Sequence, residues 1–211
     1  MDLDPFVYRM IETYPKVHTE IYWSNVEPFL KELEDPVFLE IGCGPGLLLR
    51  DLYERYNPKK LIGIDLSEDM LTKAKEILHK PFKEGRVELI LQHMQQNPTL
   101  PNKIDAIFSS RVLRSFEDPY TIFQSIHKSL VKGGYLIVLD WDRQSIWNYA
   151  SWMKRQKDFG DRHPQEIIRY HRNFSRYSLE DWSYIVANTG FAMSRIFRVN
   201  EVHIGFIATK V

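Results

Sequence analysis

One stretch constrains the rest of this 211-residue chain: Val37, Phe38, Leu39, Glu40, Ile41, Gly42, Cys43, Gly44, Pro45, Gly46, Leu47, Leu48, Leu49. A short apolar run passes through a glycine-rich turn into leucines at helical spacing, which predicts a strand, a tight loop and a helix. Such a turn brings backbone N–H groups to a ligand at a helix N-terminus. Gly42 and Gly44 permit dihedrals and close approaches that a Cβ forbids. Pro45 suits a first helical position, where a missing N–H costs nothing. Counting the dinucleotide pattern G-x-G-x-x-G from Gly42 puts its third glycine at position 47, which is Leu47. The pattern is instead Glu40-x-Gly42-x-Gly44-x-Gly46, an acid near the strand end with glycines at every second position.

The segments that follow alternate in type. Leu47, Leu48, Leu52 and Tyr53 give the first helix an apolar face, and Asn57-Pro58 ends it. Lys60–Asp65 reads as a buried strand ending in an acid. Ser67 is an N-cap for the next helix, with Glu68 and Asp69 favouring its dipole and Met70, Leu71, Ala74, Ile77 and Leu78 as its buried stripe. Strands are expected over 86–91, 104–110 and 135–139. A helix is expected from the Asp118-Pro119 cap through Leu130, stopped by Gly133-Gly134. Ser178 with Asp181 signals a capped helix closed by Gly190, and 191–199 with 202–209 forms a terminal hairpin. This rhythm predicts one α/β domain over 1–211. It is three-layered and Rossmann-like, a mostly parallel seven-stranded sheet with a terminal antiparallel hairpin.

Two segments stand outside the rhythm. Residues 1–36 carry a helical pattern broken by Pro15 and Pro28 and are rich in aromatics; they are either helices packed on the core or a cap over a ligand pocket. Residues 142–177 read as an insertion. Arg143, Lys154, Arg155, Lys157, Arg162, Arg169, Arg172 and Arg176 there stand against Asp158, Asp161 and Glu166, with Trp147, Tyr149, Trp152, Phe159, Tyr170, Phe174 and Tyr177 interleaved. A helical lid and a solvated helix with a packed aromatic face are both open readings.

Composition narrows the class. With 28 basic and 28 acidic residues, formal charge is zero, which argues against a nucleic-acid partner. The single cysteine, Cys43, excludes an internal disulfide framework and fits a reducing compartment. No secretory leader or membrane span is visible, so a cytoplasmic protein without a membrane partner is expected. The histidines are scattered without zinc-type pairing to cysteine, so no metal is expected, and no G-x-S-x-G elbow points to a hydrolase.

Glu40-Ile41-Gly42-Cys43-Gly44-Pro45-Gly46 resembles the first motif of class I S-adenosylmethionine-dependent methyltransferases, and the strand–helix rhythm over 37–141 and 178–211 is similar to theirs. The resemblance implies S-adenosyl-L-methionine as cofactor and a small-molecule acceptor. In open α/β sheets ligands sit beyond the strands' carboxyl ends, where Glu40, Asp65, His93, Ser109 and Ser110 are predicted to fall. Asp65, 23 residues after Gly42, is near the spacing at which an acid meets a ribose hydroxyl pair. Glu40 resembles the acid that organises the methionine end, with Gly42, Cys43, Gly44 and Gly46 as the cradle and Leu66 and Met70 beside Asp65. Relatives commonly carry Gly-Asp-Ala where this chain has Gln92-His93-Met94; a neutral His93 offers one acceptor to the adenine amino group, and Met94 packs on the ring. Near Arg114 relatives often have a histidine that this chain lacks.

Methyl transfer needs an in-line acceptor and no covalent enzyme nucleophile, so a general base is optional; His93, His163 and His171 are the candidates, each with a structural reading beside the catalytic one. Trp141, Arg169 and Arg172 are assigned to the lid, favouring an anionic or aromatic acceptor. Two alternatives stay open: a methyltransferase acting on RNA or protein through 142–177, and a cofactor-binding regulator without catalysis. Leu47 argues against a nicotinamide dehydrogenase. Oligomeric state is not fixed by these residues.

Overall fold

The computed structural model describes residues 4–156 and 162–211. Lys157, Asp158, Phe159 and Asp161 of the predicted lid lie outside the described residues. Seven strands form one sheet in the order β3-β2-β1-β4-β5-β7-β6: β1 Val37–Ile41, β2 Lys60–Asp65, β3 Val87–Leu91, β4 Ile104–Ser110, β5 Leu130–Trp141, β6 Phe191–Arg198 and β7 His203–Lys210. The first five run parallel and β7 is antiparallel to both β5 and β6. Strand order reverses between β1 and β4, which opens a crevice at their carboxyl ends.

Both faces are covered because side chains alternate along each strand. Phe38, Ala106, Phe108 and Ile137 face a layer made by α2 (Glu20–Leu30), α3 (Leu47–Tyr56) and α4 (Glu68–Ile77). Leu39, Ile41, Ile107 and Val138 face the opposite layer, where α6 (Pro119–Ser129) supplies Ile122, Phe123 and Ile126 and α9 (Leu179–Ala187) supplies Trp182 and Val186. The expected caps form. Ser67 accepts the Met70 N–H at 3.3 Å, and Asp118 that of Thr121 at 3.1 Å. Ser178 and Asp181 make a reciprocal capping box.

Three local expectations are corrected. Pro28 does not break its helix but lies inside α2, because Tyr22, Trp23, Val26 and Leu30 bury against the sheet and that packing outweighs one lost hydrogen bond. Pro45 is not the first helical residue; Gly46, at φ +79°, is the N-cap and α3 begins at Leu47. The helix ahead of β5 ends at Ser129, not Leu130, since the buried Leu130 already pairs with Ile104. Pairing then jumps to Tyr135 opposite Ala106, so Gly133 and Gly134 lie in a bulge within β5, with Gly133 at φ +75°.

Of the two outlying segments, α2 covers a face of the sheet, while residues 4–14 and the insertion reach the elements at its carboxyl end. The backbone N–H of Asp4, which caps α1 (Pro5–Thr13), reaches Asp69 of α4 at 3.1 Å. Thr13 accepts from Arg111 at 3.1 Å, and Tyr14 donates to Asp51 of α3 at 2.7 Å. Residues 4–14 are thereby pinned to three elements around the crevice. In the insertion, α7 (Ile146–Lys154) and α8 (Pro164–Phe174) bury Tyr149, Met153 and Ile167 with Val202. No helix among the described residues is long and apolar enough to cross a membrane.

Candidate active site

The loop after β1 has a conformation that side chains resist. Gly42, Gly44 and Gly46 all have positive φ, at 71°, 50° and 79°. A Cβ on Gly42 would run into Val112, with Cγ1 at 2.9 Å, and one on Gly46 would meet Leu78 at 2.9 Å. Gly44 faces open space, with only the Met70 sulfur near, at 3.9 Å. Two glycines therefore serve packing and the middle one leaves room for a ligand. The N–H groups of Gly42 and Cys43 both donate to the Ile64 carbonyl, at 2.7 and 2.9 Å, which ties the loop to β2. Cys43 is buried, and burial raises its thiol pKa, so it is a packing residue without thiolate character.

Asp65 ends β2 with its carboxylate across this loop, accepting from Gly44 N–H at 2.8 Å and Ser67 N–H at 2.9 Å. Leu66 beside it is exposed, and Met70 is buried under the loop. Glu40 is almost fully buried, and its Oε2 has no hydrogen-bond partner among the described residues. Burial, with Asp65 adding repulsion, pushes its pKa well above the usual carboxylate range, while Arg111 pulls it back. Met94 is buried, but His93 is exposed at the end of β3. Gln92 turns its amide to the carbonyls of Asn97 and Thr99, at 2.7 and 2.9 Å. Ser109 donates to the Ile41 carbonyl at 3.4 Å, and the Ser110 hydroxyl is buried without a partner among the described residues.

A glycine cradle with one open position, an acid braced beside it and an orphaned buried carboxyl oxygen fit S-adenosylmethionine. Asp65 would hold the ribose hydroxyls, and the loop and Glu40 the methionine end. The outer lone pairs of Asp65 stay free for hydroxyls, because a carboxylate accepts about four hydrogen bonds.

The three histidines expected as bases are not brought together. His163 is the exposed N-cap of α8, accepting from Gln165 N–H at 3.3 Å. His171 meets the Gln144 carbonyl through Nε2 at 2.7 Å, so that nitrogen carries the proton. Two other histidines occupy the interior. His18 stacks on Tyr14 with ring centres 4.1 Å apart, and His203 lies against Trp141 at 4.3 Å. Both are buried, and each Nε2 lacks a partner among the described residues. Arg111 follows β4 at φ +62°, pinned by its N–H on the Leu139 carbonyl at 2.6 Å, and its Nε is also enclosed without a partner there. His18 had a weak sequence signal, its spacing of four from Tyr14 and Tyr22. His203 had none, since its position depends on β5 pairing with β7.

Trp141 is boxed by Tyr149, Trp152, Phe174 and His203, with Phe174 stacked at 5.3 Å, so it anchors α7 and α8 to the end of β5. Arg169 is 62% exposed and lies 3.8 Å from Glu166 on its own helix; Arg172 is exposed too. Arg111 and Arg114 instead turn inward. Arg114 pairs with the fully buried Asp140 at 2.8 Å and sits 4.9 Å from the Phe174 ring centre.

Residues 33–190 match the family described as "Methyltransferase domain". A tRNA U34 carboxymethyltransferase of Pseudoalteromonas atlantica is 30% identical over 136 residues, 64% of this chain and 41% of that protein. A trans-aconitate 2-methyltransferase of Afipia carboxidovorans is 33% identical over 110 residues, 52% of this chain and 40% of that protein. The chain thus spans about two fifths of the length of these curated relatives. The crystal structure of a SAM-dependent methyltransferase from Aquifex aeolicus superposes with a TM-score of 0.71 at 21% identity, each chain covered fully, which is a likeness of fold. With a domain match over most of its length and the sheet order that goes with it, the chain belongs to the methyltransferase-domain family and has the fold of class I S-adenosylmethionine-dependent methyltransferases.

Proposed function

We propose that this protein transfers the methyl group of S-adenosylmethionine to a small acceptor that is anionic or aromatic. The observation that carries the reading is a set of buried polar atoms without a partner among the described residues, around the carboxyl ends of β1 and β4 and the start of β7: Glu40 Oε2, Ser110 Oγ, Arg111 Nε, His18 Nε2 and His203 Nε2. Buried polar groups are normally satisfied, so this cluster calls for a polar occupant.

When bound, S-adenosylmethionine would supply an electrophilic methyl group, the sulfur keeping the electron pair of the S–CH3 bond as the acceptor takes the methyl. The chain's own contribution is to bind, orient and exclude water. Asp65 and the glycine loop hold one partner; α1, the 3-10 turn Tyr14–Lys16, α7 and α8 wall off the other. Holding two reactants in line is worth about 7–11 kcal/mol in favourable cases. The exposed Arg169 and Arg172 belong in this reading to the outside of the lid.

A macromolecular acceptor is the second reading, favoured by the tRNA-modifying relative and by the exposed basic side chains of α8. Calorimetry with S-adenosylmethionine and S-adenosylhomocysteine, then release of S-adenosylhomocysteine over a panel of small acids and tRNA at two salt concentrations, tests both. Turnover on a small acid at either salt supports the first reading. Salt-sensitive turnover on tRNA alone supports the second. Uptake without turnover on any acceptor leaves a binding protein.

A further inference from the structure

On the methyltransferase reading above, we propose that the acceptor is a small carboxylate that also carries a hydroxyl or amine donor. Its carboxylate pairs with Arg111, and its donor with the bare Nε2 of His18 or His203.

The tautomers follow from geometry. His18 Nδ1 lies 3.3 Å from the Tyr14 carbonyl oxygen, and His203 Nδ1 lies 3.0 Å from Asn200 Oδ1. That Asn200 atom also receives the N–H groups of Val202 and His203, each at 3.0 Å, so it is the amide oxygen. A carbonyl oxygen only accepts, so Nδ1 carries the proton in both rings and Nε2 is a lone pair. The rings are 7% and 4% exposed, and neither lone pair has a donor among the described residues. Burial, reinforced by Arg111, keeps both neutral, His18 with a pKa lowered to about 3.

Of Arg111 and Arg114, Arg111 is the less committed. Arg114 is committed to Asp140, whereas the Arg111 side chain donates from Nη1 to Thr13 Oγ1 at 3.1 Å and has an enclosed Nε without a partner among the described residues. Arg111 joins the two histidines through its neighbours. Its side chain donates to Thr13, next to the Tyr14 whose carbonyl holds His18. Its N–H sits on the Leu139 carbonyl, two residues before the Trp141 that pairs with His203. A guanidinium flanked by lone pairs recognises an anion that also donates a hydrogen bond. The rings of Tyr14 and Trp141 beside the two histidines add aromatic walls.

The test uses the full-length protein loaded with S-adenosylhomocysteine and three matched probes: mandelate, phenylacetate, which lacks the hydroxyl, and benzyl alcohol, which lacks the carboxylate. Calorimetry should show mandelate binding roughly tenfold tighter than either truncated probe, the worth of one charge-assisted or buried hydrogen bond. His18→Phe or His203→Phe should reduce mandelate to the affinity of phenylacetate. Arg111→Met should reduce both acids to the level of benzyl alcohol, with S-adenosylhomocysteine binding unchanged. Equal affinities of the three probes for the wild-type protein overturn the proposal without recourse to any variant. So does an Arg111→Met protein that loses S-adenosylhomocysteine and keeps mandelate, since Arg111 would then serve the cofactor. Failure of the wild type to take up S-adenosylhomocysteine sinks the methyltransferase reading itself, a separate result.

Discussion

Asp65 Oδ2 accepts the Gly44 amide hydrogen at 2.8 Å, joining the end of β2 to the middle glycine of the loop after β1. With Ser67 on its other oxygen, one carboxylate shapes both the loop and the first turn of α4. Burial raises its pKa while these backbone bonds lower it.

Asp65→Ala should therefore do two things at once. Affinity for S-adenosylhomocysteine should fall at least roughly tenfold, since a hydrogen-bonded charge contributes about 1.5–3 kcal/mol. Stability should fall by about 1 kcal/mol as two backbone donors lose their acceptor. Calorimetry and urea unfolding read the two separately; an unchanged affinity would remove Asp65 from the site.

The loop glycines should split by phenotype. Gly42→Ala combines a positive φ with a collision against Val112, and should cost about 2–4 kcal/mol of stability. Gly44→Ala meets no such wall, so it should cost about 1–2 kcal/mol from its φ alone. Its larger effect should be on cofactor binding, because its Cβ would enter the open side of the cradle. Equal unfolding midpoints for the two variants would contradict this division.

Arg114 and Asp140 form a buried pair, 11% and 1% exposed, with Asp140 also accepting from the N–H groups of Arg114 and Trp141. Arg114→Ala should destabilise by about 3–5 kcal/mol, because it strands a buried carboxylate. Adding Asp140→Asn should recover part of that loss. Since Phe174 rests on Arg114, hydrogen exchange in α8 should speed up in the single variant.

The interior histidines set an acid limit. His18 has a folded pKa of about 3 and His203 one well below its usual value, so between roughly pH 6.5 and that range the unfolded chain binds more protons than the folded one. Stability should be fully present above pH 6.5 and fall on acidification, by up to about 1.4 kcal/mol per pH unit for each ring. Glu40 has the opposite sign. Its raised pKa contributes stability below the ordinary carboxylate range that is lost as pH rises through its folded value. Urea titrations from pH 5 to 8 should show His18→Phe with a shallower acid slope and Glu40→Gln with a smaller loss toward alkaline pH.

Much of the framework was legible because it depends on short-range chemistry. The caps at Ser67, Asp118 and Ser178 each accept a backbone N–H three residues on, and the turn through Gly42, Gly44 and Gly46 directly follows one strand, so local spacing places them. Pro28 and Leu130 were misplaced for the converse reason: burial against a distant strand outweighed the local signal.

The same boundary divides the site. Sequence alone determined the cradle and its acid, because both are consequences of one strand–loop–helix and the next strand's end. Only the tertiary structure decided which histidines and arginines turn inward. His18, Arg111 and His203 are separated by most of the chain; Arg111 reaches Thr13 at the end of α1, and the pairing of β7 with β5 places His203 opposite Trp141. Long-range pairing leaves no periodic trace at the residues it brings together, so no spacing rule could have found His203.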